Sequence, residues 1–287
     1  MANLKEIRNR ISSVSSTMQI TSAMKMVSAA KLKKAQDAIM AMRPYSDKLT
    51  ELIQNLSRSI GGDTQNLYTE QRTVQNILVL VITSNRGLCG GFNSNIVKEV
   101  SRKISTVYLN KKVSLITLGK KGNDILQKTF EVETNNNKIF DELTFFNVST
   151  IADSLMADFS SKKYDKIEVV YNRFKNAATQ IVTTETLLPI VSEQDDHNAA
   201  GVDYIFEPTQ ENIVQELLPK SIKMQLFKAL RDSFASEHGA RMTAMHKATD
   251  NATELRDQLK LSYNQARQAA ITNEILEIVG GAEALSS

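Results

Sequence analysis

The chain of 287 residues has one cysteine, Cys89, no tryptophan and only four prolines. A single cysteine excludes an intramolecular disulfide and any metal site built on a cysteine cluster, and it fits a reducing, cytoplasmic setting. Aromatic residues make up only 6% of the chain, with ten methionines and many alanines in their place. That bias favours helices with thin, adaptable contacts over a bulky aromatic core. No apolar run approaches the ~20 residues that span a bilayer. Positive charge exceeds negative by only three, too little to argue by itself for nucleic acid or a membrane surface. The N-terminal residues lack the apolar region of a secretory signal. They are basic, serine-containing and poor in acid, like a transit peptide, but a helical core pattern in the same residues argues against removal. With 41% apolar and 23% charged residues the composition is that of a soluble globular protein, long enough for one large domain or two ordinary ones.

What is present is organised at the two ends. Residues 1–34 carry Lys5, Arg8, Arg10, Lys25, Lys31, Lys33 and Lys34 against the single acid Glu6. Such a run reads as a solvated helix face or as a surface for an acidic protein partner. Leu4, Ile7, Ile11, Val14 and Met18 recur in steps of three and four, a heptad seam. The apolar positions then shift to Ile20, Met24 and Val27, and later to Ala35, Ala38 and Met42, which predicts a slip in the seam. Pro44 is expected to kink or end this helix, with helical pattern resuming to about Ser59 before Gly61-Gly62. After Glu207-Pro208, Met245, Ala248, Ala252, Leu255, Leu259, Ser262, Ala266 and Ala269 again step by three and four. Some 70 helical residues would extend roughly 100 Å, against a mean helix of about 11 to 12 residues. A helix that long needs an equally long partner, and the N-terminal helix is the candidate.

Between the ends, strand-like runs at 77–83, 113–118, 167–171 and 180–187 alternate with helical patterns at 93–108 and 148–159. The polar segment "VSEQDDHNAAG", 191–201, reads as an exposed loop. The expected division is a coiled-coil helix over 1–60, an α/β domain over 75–190, a loop and connection over 191–207 and a second coiled-coil helix over 208–287. The fold class is a Rossmann-like α/β insertion with a mostly parallel sheet, carried on a long antiparallel coiled coil of the N- and C-terminal helices.

"TSNRGLCGGFN" follows the first strand and resembles a phosphate-binding turn, since loop amides and a helix N-terminus favour an anion. The glycines, Gly87, Gly90 and Gly91, are spaced G-x-x-G-G. That is neither the dinucleotide fingerprint nor a P-loop, and no acid follows at the ribose position. A tight strand-to-helix turn is the simpler account. His197 lies in the polar loop; His238 and His246 are eight residues apart and able to share a helix face, with no acid or cysteine between them to complete a ligand set. No nucleophile elbow is present. The expectation is no catalytic residue, no metal and no cofactor in this chain.

The stretch "YNQARQAAITNEILEIVGGAEAL", 263–285, resembles the C-terminal signature of the γ subunits of F-type ATP synthases, bacterial type. Ile271, Thr272, Glu274, Glu277, Gly281, Ala282 and Ala284 meet its I-T-x-E-x-x-E and G-A-x-A pattern. "KEIRNRISSV", "AMKMVSAAKLKKAQ", "TSNRGLCGGFN" and "VDYIFEP" resemble further family segments in the same order, so the likeness spans the chain. The resemblance implies a central-stalk rotor. One copy would turn inside a ring of α and β subunits, with its base against ε and the membrane c ring, δ as a further partner and no nucleic acid. Proton flow would drive rotation, and ATP would be made at β-subunit sites. The implied location is peripheral, on the cytoplasmic face of the bacterial cell membrane.

The same resemblance assigns ring contacts to Met24, Lys25, Arg267, Gln268 and Thr272, gives the basic Lys31, Lys33 and Lys34 acidic β-subunit loops as partners, and sets Tyr204 and Glu207 at the base. Each also has a plain reading as a surface residue, and Met24 as seam packing. Lys25 stands where some relatives carry an acid. The extra cysteine pair of plant chloroplast members is missing, which excludes a thiol switch of that type. Two other readings are a nucleotide-binding α/β enzyme with a helical dimerisation arm and a coiled-coil adaptor.

Overall fold

The computed structural model describes residues 4–59, 67–190 and 210–286. In chain order the elements are α1 (Leu4–Ser59), β1 (Asn76–Ile82), α2 (Phe92–Thr106), β2 (Lys112–Leu118), α3 (Lys120–Leu126), β3 (Val132–Asn135), α4 (Phe145–Ser160), β4 (Lys166–Phe174), β5 (Gln180–Leu188) and α5 (Gln210–Ser286). The chain divides into two compact units, one of Met1–Ser28 with Met242–Ser287 and one of Ala29–Arg241.

The larger unit is built on a five-stranded sheet in the order β3-β2-β1-β4-β5. β1 pairs in parallel with β2 and β4, β2 in parallel with β3, and β5 runs antiparallel to β4. The sequence NILVLVI makes β1 the central strand because it is apolar on both faces. Leu78, Leu80 and Ile82 pack on one side with Val148, Leu155 and Phe159 of α4 and Ile222, Leu226 and Leu230 of α5. Ile77, Val79 and Val81 pack on the other with Ile96 and Val100 of α2 and Leu126 of α3. Each such side chain contributes about 1.5–3 kcal/mol by leaving water. α2 buries Phe92, Ile96 and Val100 on one stripe. Helix α4 starts where the Thr144 side chain accepts a hydrogen bond from the Asn147 amide, a cap of about 1 kcal/mol.

Two expectations for α1 are corrected. The seam does not slip: Ile7, Thr21, Ser28, Leu32, Ala35, Ile39, Ser46 and Leu49 are buried on one continuous heptad, whereas Ile20 and Val27 are 60% and 57% exposed. The seam passes through small and polar residues, Thr21, Lys25 and Ser28, and apolarity alone does not mark it. Of the kink or end expected at Pro44, the end does not occur: Pro44 lies inside the helix, which runs on to Ser59. Pro44 and Met40, one turn earlier, are both exposed, so water reaches the carbonyl that the proline ring leaves without a donor.

The segment of α5 on the sheet has no clean polar face. Asp232, Ser233, Ser236, Glu237, His238 and Arg241 are all buried together with Ile222, Leu226, Ala229 and Leu230. Pro219 lies within the helix. The strand-like runs of the sequence correspond to β1, β2, β4 and β5. β3 and α3 were not expected, for reasons of length and polarity: VETN is a four-residue edge strand with a single apolar residue.

Candidate functional site

In the smaller unit α1 and α5 run antiparallel. Arg8 donates to the Tyr263 hydroxyl at 2.8 Å, Thr253 donates to the Met18 sulfur at 3.3 Å, and the Thr21 and Thr249 hydroxyls lie 2.8 Å apart. Met245 and Ala252 are buried on the α5 side, whereas Leu255 is 46% exposed. The α5 seam therefore runs through Thr249, Arg256 and Tyr263, which are half-buried, whereas the expected Leu255 and Ser262, one residue earlier, are exposed.

Beyond the Arg8–Tyr263 contact α5 continues without a partner helix among the described residues. Every residue from Arg267 to Ala282 is exposed, including the signature residues Ile271, Thr272, Glu274, Glu277 and Gly281; the side chain of Ala284 lies outside the described set. Ile271, Ile275, Leu276, Ile278 and Val279 are all about half exposed or more. At about 100° per residue they occupy an arc of roughly 160°, with Glu274, Glu277, Gly280 and Gly281 opposite. Gln268 and Thr272 fall on the apolar arc in line with Ile275 and Val279. The Thr272 hydroxyl already donates to the Gln268 carbonyl at 3.0 Å, so it offers a partner its lone pairs. This is an unpartnered amphipathic overhang whose last turns present an apolar face.

The basic residues of α1 divide. Met24 and Lys25 are half-buried, Lys25 on the seam with its head free to reach water. Lys31, Lys33 and Lys34, in the larger unit, are exposed. Tyr204, Glu207 and His197 lie outside the described residues.

Within the larger unit α5 is fixed to the α/β layers by polar contacts as well as packing. Gln225 donates to the Thr186 carbonyl, Arg231 to the Leu143 carbonyl at 2.8 Å, and Lys223 pairs with Asp153 at 2.8 Å. Phe227 meets Phe145 edge-on. None of these was legible in the sequence, because each depends on which turn of α5 reaches which loop.

The strand order reverses between β1 and β4, and in doubly wound sheets a ligand binds in the crevice at the strand C-termini there. Here that crevice is filled by α5. Arg241 donates to the carbonyls of Arg86 at 3.0 Å and Gly87 at 3.3 Å and to the Glu237 carboxylate at 2.7 Å. Cys89, Phe92 and Ala240 form a small buried cluster beside it. The glycine loop thus presents carbonyls to an arginine of its own chain. Gly90, and unexpectedly Leu88, have positive φ of 58° and 62°, as a tight turn requires. Burial pushes the Cys89 thiol and the Glu237 carboxyl up. His238, edge-on to Phe234, is held down to about 4 by burial and then by Arg241 and Lys31. His246 is instead exposed, 3.4 Å from Asp250, so the two histidines do not share an environment.

A family model described as ATP synthase matches residues 3–285. The ATP synthase gamma chain of Flavobacterium johnsoniae is 67% identical over 286 residues, covering 100% of both chains. A chain from the central stalk and c ring of the Tetrahymena thermophila mitochondrial ATP synthase aligns with a TM-score of 0.59 at 26% identity, over 80% of this chain and 99% of that one. A chain from the Euglena gracilis mitochondrial ATP synthase, in its OSCP/F1/c-ring assembly, aligns with a TM-score of 0.71 over 98% and 94% at 23% identity, a likeness of fold.

Proposed function

This chain belongs to the ATP synthase gamma-chain family, and from that premise we propose that it is the central-stalk rotor of an F-type ATP synthase, coupling ion-driven rotation to ATP synthesis at β-subunit sites. The observation that carries the reading is the 67% identity to a gamma chain over the full length of both proteins. The partners are the α and β subunits, ε and the c ring, with δ a further candidate. The four-part division at 60, 75–190, 191–207 and 208–287 belongs to this proposal, with the helical ends as shaft and the α/β part as the element that receives torque.

The chain's own residues suit a turning shaft. A rotor needs contacts that hold it centred without a deep energy well at one angle. The apolar overhang supplies them, because burial of Ile275, Ile278 and Val279 is non-directional. Arg267 and Gln268 add directional hydrogen bonds at particular angles. Lys31, Lys33 and Lys34 offer long-range attraction to acidic loops of the β subunits. Tyr204 and Glu207 are assigned to the base, toward ε and the c ring. The chain carries no catalysis of its own, and it sits peripherally at the cytoplasmic face of the bacterial membrane. No helix among the described residues is long and apolar enough to cross a membrane. Against the nucleotide-dependent enzyme stands the switch-point crevice, where Arg241 already donates to the loop carbonyls and to Glu237.

Native mass spectrometry of the tagged chain from gently solubilised host membranes tests this. A single copy bound to the α/β ring with ε is expected. Recovery as a free monomer or homodimer carrying nucleotide would contradict it.

A further inference from the structure

Three elements of the larger unit enclose a cleft of about 600 Å³, lined by α1, the β4–β5 hairpin and α5. Its cations are Arg43 from α1, Arg173 and Lys175 from the hairpin and Lys228 from α5; its one acid is Asp232. None of the four cations makes an ion pair or side-chain hydrogen bond among the described residues, whereas neighbouring cations of the same unit, Lys103, Lys166, Lys223 and Arg241, are all paired with carboxylates. Four cations around a single carboxyl leave an excess of positive charge that a bound anion would neutralise.

The rest of the lining narrows the ligand. Ile39, Met42, Phe174 and Ile181 form an apolar wall. Asp232 is 6% exposed and has no hydrogen-bond or ion-pair partner among the described residues, which leaves a buried acceptor facing the cavity. Burial raises its carboxyl to about 6, against the pull of Lys228 and Arg43. A cleft of this volume is of small-molecule size. Inorganic phosphate would meet the cations and leave the wall and Asp232 unused. A flat, partly apolar body with a donor at its edge, attached to two or more phosphates, uses all three.

We propose that this cleft binds a nucleoside di- or triphosphate, with the phosphates on Arg43, Arg173, Lys175 and Lys228, the base against Phe174 and Ile181, and an exocyclic amine donating to Asp232. This site is distinct from the glycine loop, and it is independent of the rotor assignment.

The test is equilibrium binding of ADP and of pyrophosphate to the purified full chain at low salt. ADP is expected to saturate one site and to bind more tightly than pyrophosphate. Arg173→Ala and Lys228→Ala, each removing one charge-assisted contact, are expected to weaken ADP by about tenfold or more. Lys98→Ala with Lys128→Ala, which removes exposed charge outside the cleft lining, should leave affinity unchanged. Asp232→Asn is expected to reduce the preference for ADP over pyrophosphate. Circular dichroism and melting temperature of each variant establish that it is folded. No saturation at about 5 mM ADP, equal affinity for the two probes, or equal loss in the Lys98/Lys128 variant would overturn the proposal. So would protection of the cleft by an acidic peptide segment of a partner subunit with no measurable nucleotide binding.

Discussion

Arg241 and Glu237 form a buried ion pair one helical turn apart, 2.7 Å between Nη1 and Oε1, and the same guanidinium donates to two carbonyls of the glycine loop. Both residues are less than a tenth exposed. The pair therefore closes the crevice at the β1/β4 switch and ties α5 to the sheet. Arg241→Ala would leave a buried carboxylate and the Gly87 carbonyl without a donor, while the Arg86 carbonyl keeps the Ser84 hydroxyl at 2.7 Å. A loss of about 3–5 kcal/mol is expected, read as a lower urea midpoint at unchanged slope. Arg241→Met with Glu237→Gln should recover part of it, because the buried charge is then gone.

His238 gives a pH dependence of defined sign. Its imidazole titrates near 4 in the folded chain against an ordinary 6.5, so the unfolded chain binds the proton first as pH falls. The contribution is zero well above 6.5, becomes destabilising between 6.5 and 4, and levels off below 4 at on the order of 3 kcal/mol. Nε2 has no hydrogen-bond partner, so His238→Phe should cost little at pH 8. The variant should lose less stability than the parent between pH 6.5 and 4. Reading the difference cancels Asp232, raised to about 6, and the raised carboxyl of Glu237, both of which act with opposite sign. Parallel curves would contradict the assignment.

The overhang separates folding from coupling. Ile278 is 66% exposed, whereas Ile222 on the same helix is fully buried. Ile278→Asp is expected to change stability by no more than about 0.5 kcal/mol while reducing ATP-driven ion pumping by the reconstituted complex. Ile222→Asp should prevent folding altogether. Arg267→Ala should follow Ile278→Asp, with coupling weakened more than folding. Normal pumping by an intact complex carrying either overhang variant would remove that surface from the mechanism.

Two glycines should respond in opposite directions. Gly119 has φ of 114°, and a Cβ there would lie 2.1 Å from the Thr83 carbonyl oxygen. Gly119→Ala must shift the β1 and β2 ends apart and is expected to cost more than about 3 kcal/mol. Gly280 is helical with nothing within 4 Å of an added Cβ, so Gly280→Ala should raise the helicity of the last turns by about 1 kcal/mol of propensity. Circular dichroism and thermal melts distinguish them.

The α/β order, the central strand and both long helices were legible because each is a sustained periodic signal. The α1 seam past Met18 was not: Thr21, Lys25 and Ser28 fill heptad positions that an apolar count passes over, since a close helix contact accepts small or hydroxylated side chains. Pro44 left a kink or an end open, and the helix continues through it because a solvent-facing proline is tolerated inside a helix. The glycine loop was read correctly as a turn, but what occupies its mouth was hidden, because Arg241 lies more than 150 residues later in the chain. The exposed signature of α5 was visible as a motif, but not its exposure, because the motif says nothing of where α1 stops covering α5.

The most direct test of the rotor assignment is single-molecule rotation. Cys89 is 2% exposed and Val107 is 58% exposed, so Val107→Cys supplies one accessible thiol for a probe on the α/β part. With the chain assembled in an immobilised α/β ring and ATP supplied, the probe is expected to turn continuously in one direction. Sustained ATP hydrolysis with a stationary or randomly moving probe would contradict the account.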